Sequence, residues 1–215
     1  MLITSRSYAE YAAMFDLREL PSTVLDCCAG GSSFTAEASA LGMEAIAADP
    51  VYEWSDSELA SALDRGAEQT RDINDAHADD FVWSWYGSAS RRDELRSEAA
   101  RSFLEDKRAH PERYVAAGLP ELPFETGQFE LVLCSHLLFT WAGTLDSAWH
   151  AAAIAELLRV SRDEVRIFPL VQRGTGRPVD FIPDLLNRSR LAWEIRDVPY
   201  ELQRGADQML VLNNR

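Results

Sequence analysis

Apolar positions along the chain switch repeatedly between a helical and an extended period, and the switches lay out an alternation of helices and strands. Tyr8, Tyr11, Ala12 and Phe15 recur at helical spacing and predict a helix over residues 7–17, interrupted by Pro21. Thr23-Val24-Leu25 then reads as a short strand entering a glycine turn. Residues 34–41 are helical with Gly42 as a C-terminal stop, and residues 43–48 form a second strand ending at Asp49-Pro50. From residue 51 to about residue 113 the alternation pauses. Residues 52–80 hold nine acidic and two basic residues and read as a solvated face. Phe81-Val82-Trp83-Ser84-Trp85-Tyr86 follows, dense in aromatics, and residues 91–110 form an amphipathic helix with Leu95, Ala99, Phe103 and Leu104 on one stripe. A structureless connection this long is uncommon inside a compact domain, so residues 51–113 are expected to be a helical insertion folded over the rest.

The alternation resumes with a third strand at residues 114–117 and a turn through Leu122-Pro123-Phe124 and Thr126-Gly127. Phe129-Glu130-Leu131-Val132-Leu133-Cys134 is nearly continuous apolar sequence, as a strand buried on both faces requires. Residues 148–160 are helical, 165–170 form a fifth strand and 183–191 a short helix. Residues 193–202 and 208–212 read as two closing strands, too close together for a crossover helix and therefore antiparallel. The expected fold is α/β: one domain over residues 1–215, with a doubly wound, seven-stranded, mostly parallel sheet whose last strand is antiparallel.

Composition narrows the function. The net charge of −14, from 21 basic against 35 acidic residues, opposes nucleic-acid binding, which depends on neutralising phosphates. No local basic patch offsets it, so a small-molecule substrate fits better. No apolar run approaches the length of a membrane span, and Met1-Leu2-Ile3-Thr4-Ser5-Arg6 lacks the regions of a signal peptide; a cytoplasmic location without membrane contact is the expectation. The three cysteines, Cys27, Cys28 and Cys134, are odd in number and two are adjacent. That excludes a disulfide framework and gives no zinc-like spacing, so no metal is expected and the cysteines read as small buried residues.

In a doubly wound sheet, ligands bind beyond the C-terminal ends of the strands. Ala29-Gly30-Gly31-Ser32 lies at the first strand's exit, where small residues let backbone approach a ligand and the next helix points its amides at it. Neither a G-x-G-x-x-G nor a phosphate-loop spacing is present. Instead two carboxylates stand at strand ends, Asp26 and, 23 residues on, Asp49 before Pro50. A carboxylate at the second strand's end suits the two hydroxyls of a ribose, and Asp26 suits a cationic amine. A ribose-bearing, positively charged ligand without phosphates matches this set.

At this point the chain resembles the class I S-adenosylmethionine-dependent methyltransferases. Four segments over residues 23–212 carry the resemblance: Val24-Leu25-Asp26-Cys27-Cys28-Ala29-Gly30, Ala47-Ala48-Asp49-Pro50, Leu122-Pro123-Phe124 with Phe129-Glu130-Leu131-Val132-Leu133-Cys134-Ser135-His136, and Glu156-Leu157-Leu158-Arg159-Val160. The resemblance implies S-adenosylmethionine as cofactor and S-adenosylhomocysteine as product. It places nucleoside binding on Asp26, Ala29, Gly30 and Asp49, and sets Ser135 and His136 beside the methionine end or the substrate. The family's D-x-G-x-G-x-G motif keeps only Gly30, with Cys28 and Ser32 in place of the others, and Gly118-Leu119 stands where an acidic adenine partner is often found. Backbone groups at Gly118 and Leu119 are then the expected adenine contacts. His136 is either a general base or a wall of the pocket, and Trp83, Trp85 and Tyr86 are expected to reach the substrate from the insertion, acting as a lid. The implied activity is methyl transfer to an oxygen or nitrogen nucleophile of a small molecule. The alternatives are a non-catalytic S-adenosylmethionine or nucleoside binder and a nucleotide-dependent oxidoreductase.

Overall fold

The apolar run around residue 131 becomes β4 (Phe129–Ser135), and its side chains alternate between two cores. In a computed structural model describing residues 2–187 and 192–214, Leu131 and Leu133 pack with Val24, Met14, Phe15 and Phe34 on one face. Val132 and Cys134 pack with Leu25, Ile154, Leu157 and Val165 on the other. The period of two thus sends successive residues of one strand into opposite layers, each fully buried aliphatic side chain contributing roughly 1.5–3 kcal/mol.

Around β4 lie β1 (Thr23–Cys27), β2 (Glu44–Ala48), β3 (Tyr114–Val115), β5 (Ser161–Phe168), β6 (Ala192–Asp197) and β7 (Gln208–Asn213). They form one seven-stranded sheet in the order β3-β2-β1-β4-β5-β7-β6. Pairings from β3 through β5 are parallel, and β7 runs antiparallel to both of its neighbours. The expected fold class holds. The direction of travel around the sheet reverses between β1 and β4, which marks their C-terminal ends as the ligand-binding edge.

Among the described residues six helices accompany the sheet: α1 (Tyr8–Met14), α2 (Phe34–Ala40), α3 (Asp56–Ala76), α4 (Ala89–Ala109), α5 (Ser147–Val160) and α6 (Ile182–Asn187). The acidic stretch after residue 52 is not only a solvated face, because it contains the 21-residue α3. Ser55 and Glu58 close a capping box at its start, and Leu59, Ala62, Leu63 and Gly66 are buried at helical spacing. The third strand is shorter than its apolar run suggests, and the fifth begins earlier, at Ser161. The strand read over residues 193–202 stops at Asp197. Of the short helix read over 183–191, residues 188–191 lie outside the described residues. Among the described residues no helix is long and apolar enough to cross a membrane.

A feature without a sequence signal is an extended N-terminal strap, residues 2–6, threaded between the glycine turn and α3. The amide of Gly31 donates to the Thr4 carbonyl at 3.3 Å, and that of Ser33 to the Arg6 carbonyl at 2.9 Å. On the other side α3 presses its backbone onto the strap: a Cβ on Gly66 would stand 2.0 Å from the Ile3 carbonyl oxygen. A carbonyl cannot swing aside as a side-chain tip can. We therefore expect Gly66→Ala to destabilise the fold by about 1–3 kcal/mol, lowering the thermal midpoint by roughly 3–10 °C. Gly143→Ala, with nothing within 4 Å of the added carbon, is the control and should change little. Equal midpoints for the two variants would show that the strap is not clamped.

Candidate active site

The site is organised by Asp49, which follows β2. Its Oδ2 accepts the amide of Gly30 at 2.9 Å and its Oδ1 accepts that of Val51 at 3.0 Å. One carboxylate therefore fastens the turn after β1 to the turn after β2. The amide of Cys28 donates to the Ala48 carbonyl at 2.7 Å, and the Tyr52 hydroxyl to the Gly30 carbonyl at 3.0 Å. Burial raises the Asp49 carboxyl to about 6, against the opposing pull of the Val51 and Gly30 amides.

A cavity of about 490 Å3 opens over this junction. Ala29, Gly30, Asp49 and Pro50 line one side, Gly118 and Leu119 another, and Ser135 and His136 the end of β4. These expected cofactor-site residues are thus brought together from four separate segments. The ring of Pro50 lies against Gly118, where a Cβ would approach its Cγ to 2.7 Å, so this corner accepts no side chain.

Asp26, Gly31 and Ser32 stand behind the surface. Asp26 is fully buried; one oxygen accepts the Tyr11 hydroxyl at 3.0 Å and the other has no hydrogen-bond partner among the described residues. Burial holds its carboxyl well above the usual range, beneath Tyr11, which itself lines the cavity. Gly31 faces the Leu63 side chain. The Ser32 hydroxyl donates to the Arg6 carbonyl at 3.0 Å and accepts the Phe34 amide at 3.0 Å, fixing the strap and the start of α2.

A second cavity, of about 380 Å3, meets the first at Leu2, Thr4, Arg6, His136 and Trp141. His136 stands at this junction with φ of +55°, a left-handed backbone that a non-glycine residue adopts only under constraint. Its amide donates to the Phe168 carbonyl at 2.7 Å, and its Nδ1 lies 2.8 Å from the Ser135 hydroxyl. Burial, then the nearby Arg6 and Arg96, push the imidazole well below its ordinary value, so it is neutral. A neutral ring whose Nδ1–H donates to Ser135 leaves the Nε2 lone pair free to take a proton.

Trp83, Trp85 and Tyr86 line neither cavity. The Tyr86 hydroxyl donates to Glu10 and lies 2.7 Å from the Tyr200 hydroxyl, Trp85 packs edge-on against Tyr86, and the Arg92 guanidinium lies 5.4 Å from the Trp83 ring centroid. This run fastens the insertion to α1 and to the loop after β6. Phe81, at its start, does line the second cavity. Sequence reading missed Thr4 and Arg6 on the strap, and Leu145 and Trp149, which close the first cavity from the β4–α5 connection and α5. For Leu145 and Trp149 the one signal is position, downstream of a central strand's C-terminal end; Thr4 and Arg6 carry none.

Cys27 and Cys134 are buried opposite each other in β1 and β4, and the Cys27 and Cys28 sulfurs are 3.7 Å apart. Hydrogen bonding with Cys134 and burial hold the Cys27 and Cys28 thiols well above their ordinary value. Among the described residues no three His, Cys, Asp or Glu side chains are grouped to hold a metal ion.

No protein-family model matches the chain. The uncharacterized protein MJ0045 of Methanocaldococcus jannaschii is 26% identical over 214 residues, spanning 98% of this chain and 95% of its own. Among solved structures, a SAM-dependent methyltransferase from Aquifex aeolicus superposes with a TM-score of 0.50 at 12% identity, over 96% of this chain and 93% of that one. The chain has the fold of the class I S-adenosylmethionine-dependent methyltransferases. TnmH shares it with a TM-score of 0.51 at 16% identity, over 97% of this chain and 54% of TnmH. In the methyltransferase fold of this chain, the first cavity lies at the C-terminal ends of β1, β2 and β4.

The two perturbed groups act in opposite directions on stability. The His136 contribution is complete above pH 6.5 and is lost as the pH falls, because the unfolded chain then binds the proton more readily. For Asp49 the folded chain binds the proton more readily, so its ionisation costs stability as the pH rises from about 4 to about 6. In an NMR titration of the free protein, Asp49 should titrate near pH 6. The His136 ring should stay neutral down to pH 6.5. A His136 midpoint at or above 6.5 would show a solvated imidazole.

Proposed function

We propose that the chain transfers a methyl group from S-adenosylmethionine to an oxygen or nitrogen nucleophile of a small molecule. The observation that carries this reading is the pairing of cavities: one lined by Asp49 at the strand ends, meeting a second at His136. A volume of about 490 Å3 falls in the range of small-ligand sites. The donor set fits too. The Asp49 oxygens each accept one backbone amide and keep lone pairs for the two ribose hydroxyls. Gly118 and Leu119, with Leu145 and Trp149 of the same lining, would receive the purine, and Gly30 and Ser135 would flank the amino-acid end.

When bound, S-adenosylmethionine supplies a methyl group on a sulfonium sulfur, which departs keeping the bonding electron pair. The chain's own work is positioning. Asp49 and the Gly118 corner fix the nucleoside, and His136 holds the junction and takes the acceptor's proton on Nε2 when the nucleophile enters protonated. Residues 51–113, whose Thr70, Ile73, Asn74 and Phe81 line the second cavity, act as a lid over the acceptor.

Three measurements test this. Asp49→Ala should weaken S-adenosylhomocysteine binding in calorimetry by roughly 1.5–3 kcal/mol, because two charge-assisted hydrogen bonds to ribose disappear. NAD should not bind, and undiminished affinity in a folded variant would remove Asp49 from the site. Ribose needs the ionised carboxylate, so wild-type affinity should be flat above about pH 7 and fall by up to about tenfold per unit below pH 6. Hydrogen exchange over residues 51–113 should slow when S-adenosylhomocysteine binds; uniformly slow exchange in both states would make the segment a rigid annex rather than a lid.

A further inference from the structure

The second cavity holds a concentration of unanswered polar groups. Among the described residues seven buried side-chain polar atoms lack a hydrogen-bond partner, and four of them belong to Arg6, Asn74 and Thr140, all of which line this cavity. Folded proteins leave few such atoms, and here four of them belong to residues gathered around one space. Asn74, on α3, is 5% exposed and both ends of its amide are unpartnered. Arg6 is 9% exposed; its Nη1 donates to the Thr4 hydroxyl at 2.7 Å, its Nε has no acceptor, and among the described residues no carboxylate pairs with it.

Charge points the same way. Arg6, Arg96 and Arg173 all line the cavity. Arg96 is answered by Glu10 at 3.4 Å, whereas Arg173 lies over the Trp141 ring at 5.1 Å without an ion pair among the described residues. Among the described residues the one carboxylate on the lining is Asp80, exposed and 3.9 Å from His77. A buried guanidinium with no carboxylate in ion-pair contact among the described residues is costly, and in a chain of net charge −14 no long-range field would attract an anion to it. The cavity is built for short-range capture. Between the polar groups the walls are Phe81, Phe168, Pro169, Tyr200 and Leu202.

We infer that this cavity takes an anionic acceptor, a small molecule with an apolar ring and an acidic group held by Arg6 and Arg173, with the Asn74 amide completing its hydrogen bonds. The inference rests on the methyl-transfer reading for the word acceptor, but its anion selectivity is measurable without turnover. Carboxylate and phosphate share the required chemistry, so the probes separate them.

Benzoate, phenyl phosphate and benzamide are titrated into the full chain with and without S-adenosylhomocysteine, alongside S-adenosylhomocysteine alone. One or both anions should bind roughly 10- to 100-fold more tightly than benzamide. Arg173→Ala and Asn74→Leu, neither of which lines the first cavity, should cut that preference by about tenfold while leaving S-adenosylhomocysteine affinity unchanged. Thr140→Val serves as a third, nearly isosteric variant should Asn74→Leu misfold. Arg6→Gln should also lose the anions. If it weakens S-adenosylhomocysteine alone and anion binding persists, Arg6 serves the cofactor's own carboxylate and the assignment of the acid to Arg6 is overturned. Equal binding of benzoate, phenyl phosphate and benzamide, or none, overturns the anion site outright. Anion preference in a chain that does not bind S-adenosylhomocysteine supports the anion site and sinks the methyl-transfer reading.

Discussion

The Asp49 carboxylate is the tie on which the ligand-binding edge depends. It accepts the Gly30 amide with one oxygen and the Val51 amide with the other, so the turns leaving β1 and β2 cannot move independently. The residue after Gly30 holds the strap through Thr4, and the strap in turn lies under the backbone of α3 at Gly66. A single half-buried acid thus begins a chain of contacts that runs from the sheet to the helix over the second cavity. Removing it would leave two partly buried amides without acceptors, which costs more than the loss of one ordinary hydrogen bond.

The sheet was legible in the sequence because its signals are local. A run such as residues 129–134 can satisfy burial on two faces only as a central strand, and two strands read five residues apart can pair only antiparallel. Much of the first cavity was legible for a related reason: a doubly wound sheet fixes which turns face the ligand, and Gly30, Asp49 and Ser135 sit at those turns. Asp26 and Ser32 belong to the same turns yet point inward. Sequence position locates a turn but does not say which side chain its backbone will turn outward.

The strap and the aromatic run mark the limit. Nothing in Leu2-Ile3-Thr4-Ser5-Arg6 announces that its carbonyls will meet amides of the glycine turn, since those bonds join segments with no shared periodicity. Trp83, Trp85 and Tyr86 look like a recognition surface by composition, but burial decides otherwise: Tyr86 shares a hydrogen-bonded cluster with Glu10, Arg96 and Tyr200. The signal available for α3 was its capping box and its four-residue apolar stripe, which the surrounding acidic residues hide from a charge-based reading.

The pairing of β2 with β3 has a consequence for how the chain could change. Ala47 lies opposite Tyr114 and Ala48 opposite Val115, so the segment between the two strands leaves and rejoins the sheet one strand spacing apart. Its ends are already held together by ladder hydrogen bonds, and the entropy of closing a loop grows only as the logarithm of its length, about 0.6 kcal/mol per doubling. Lengthening, shortening or exchanging the helices of this segment therefore perturbs the sheet little, while replacing the wall that bears Asn74 and Phe81. Recognition of the second cavity's occupant can drift by changes in this segment, so long as Val51, Tyr52 and Gly66, which hold Asp49, Gly30 and the strap, are kept.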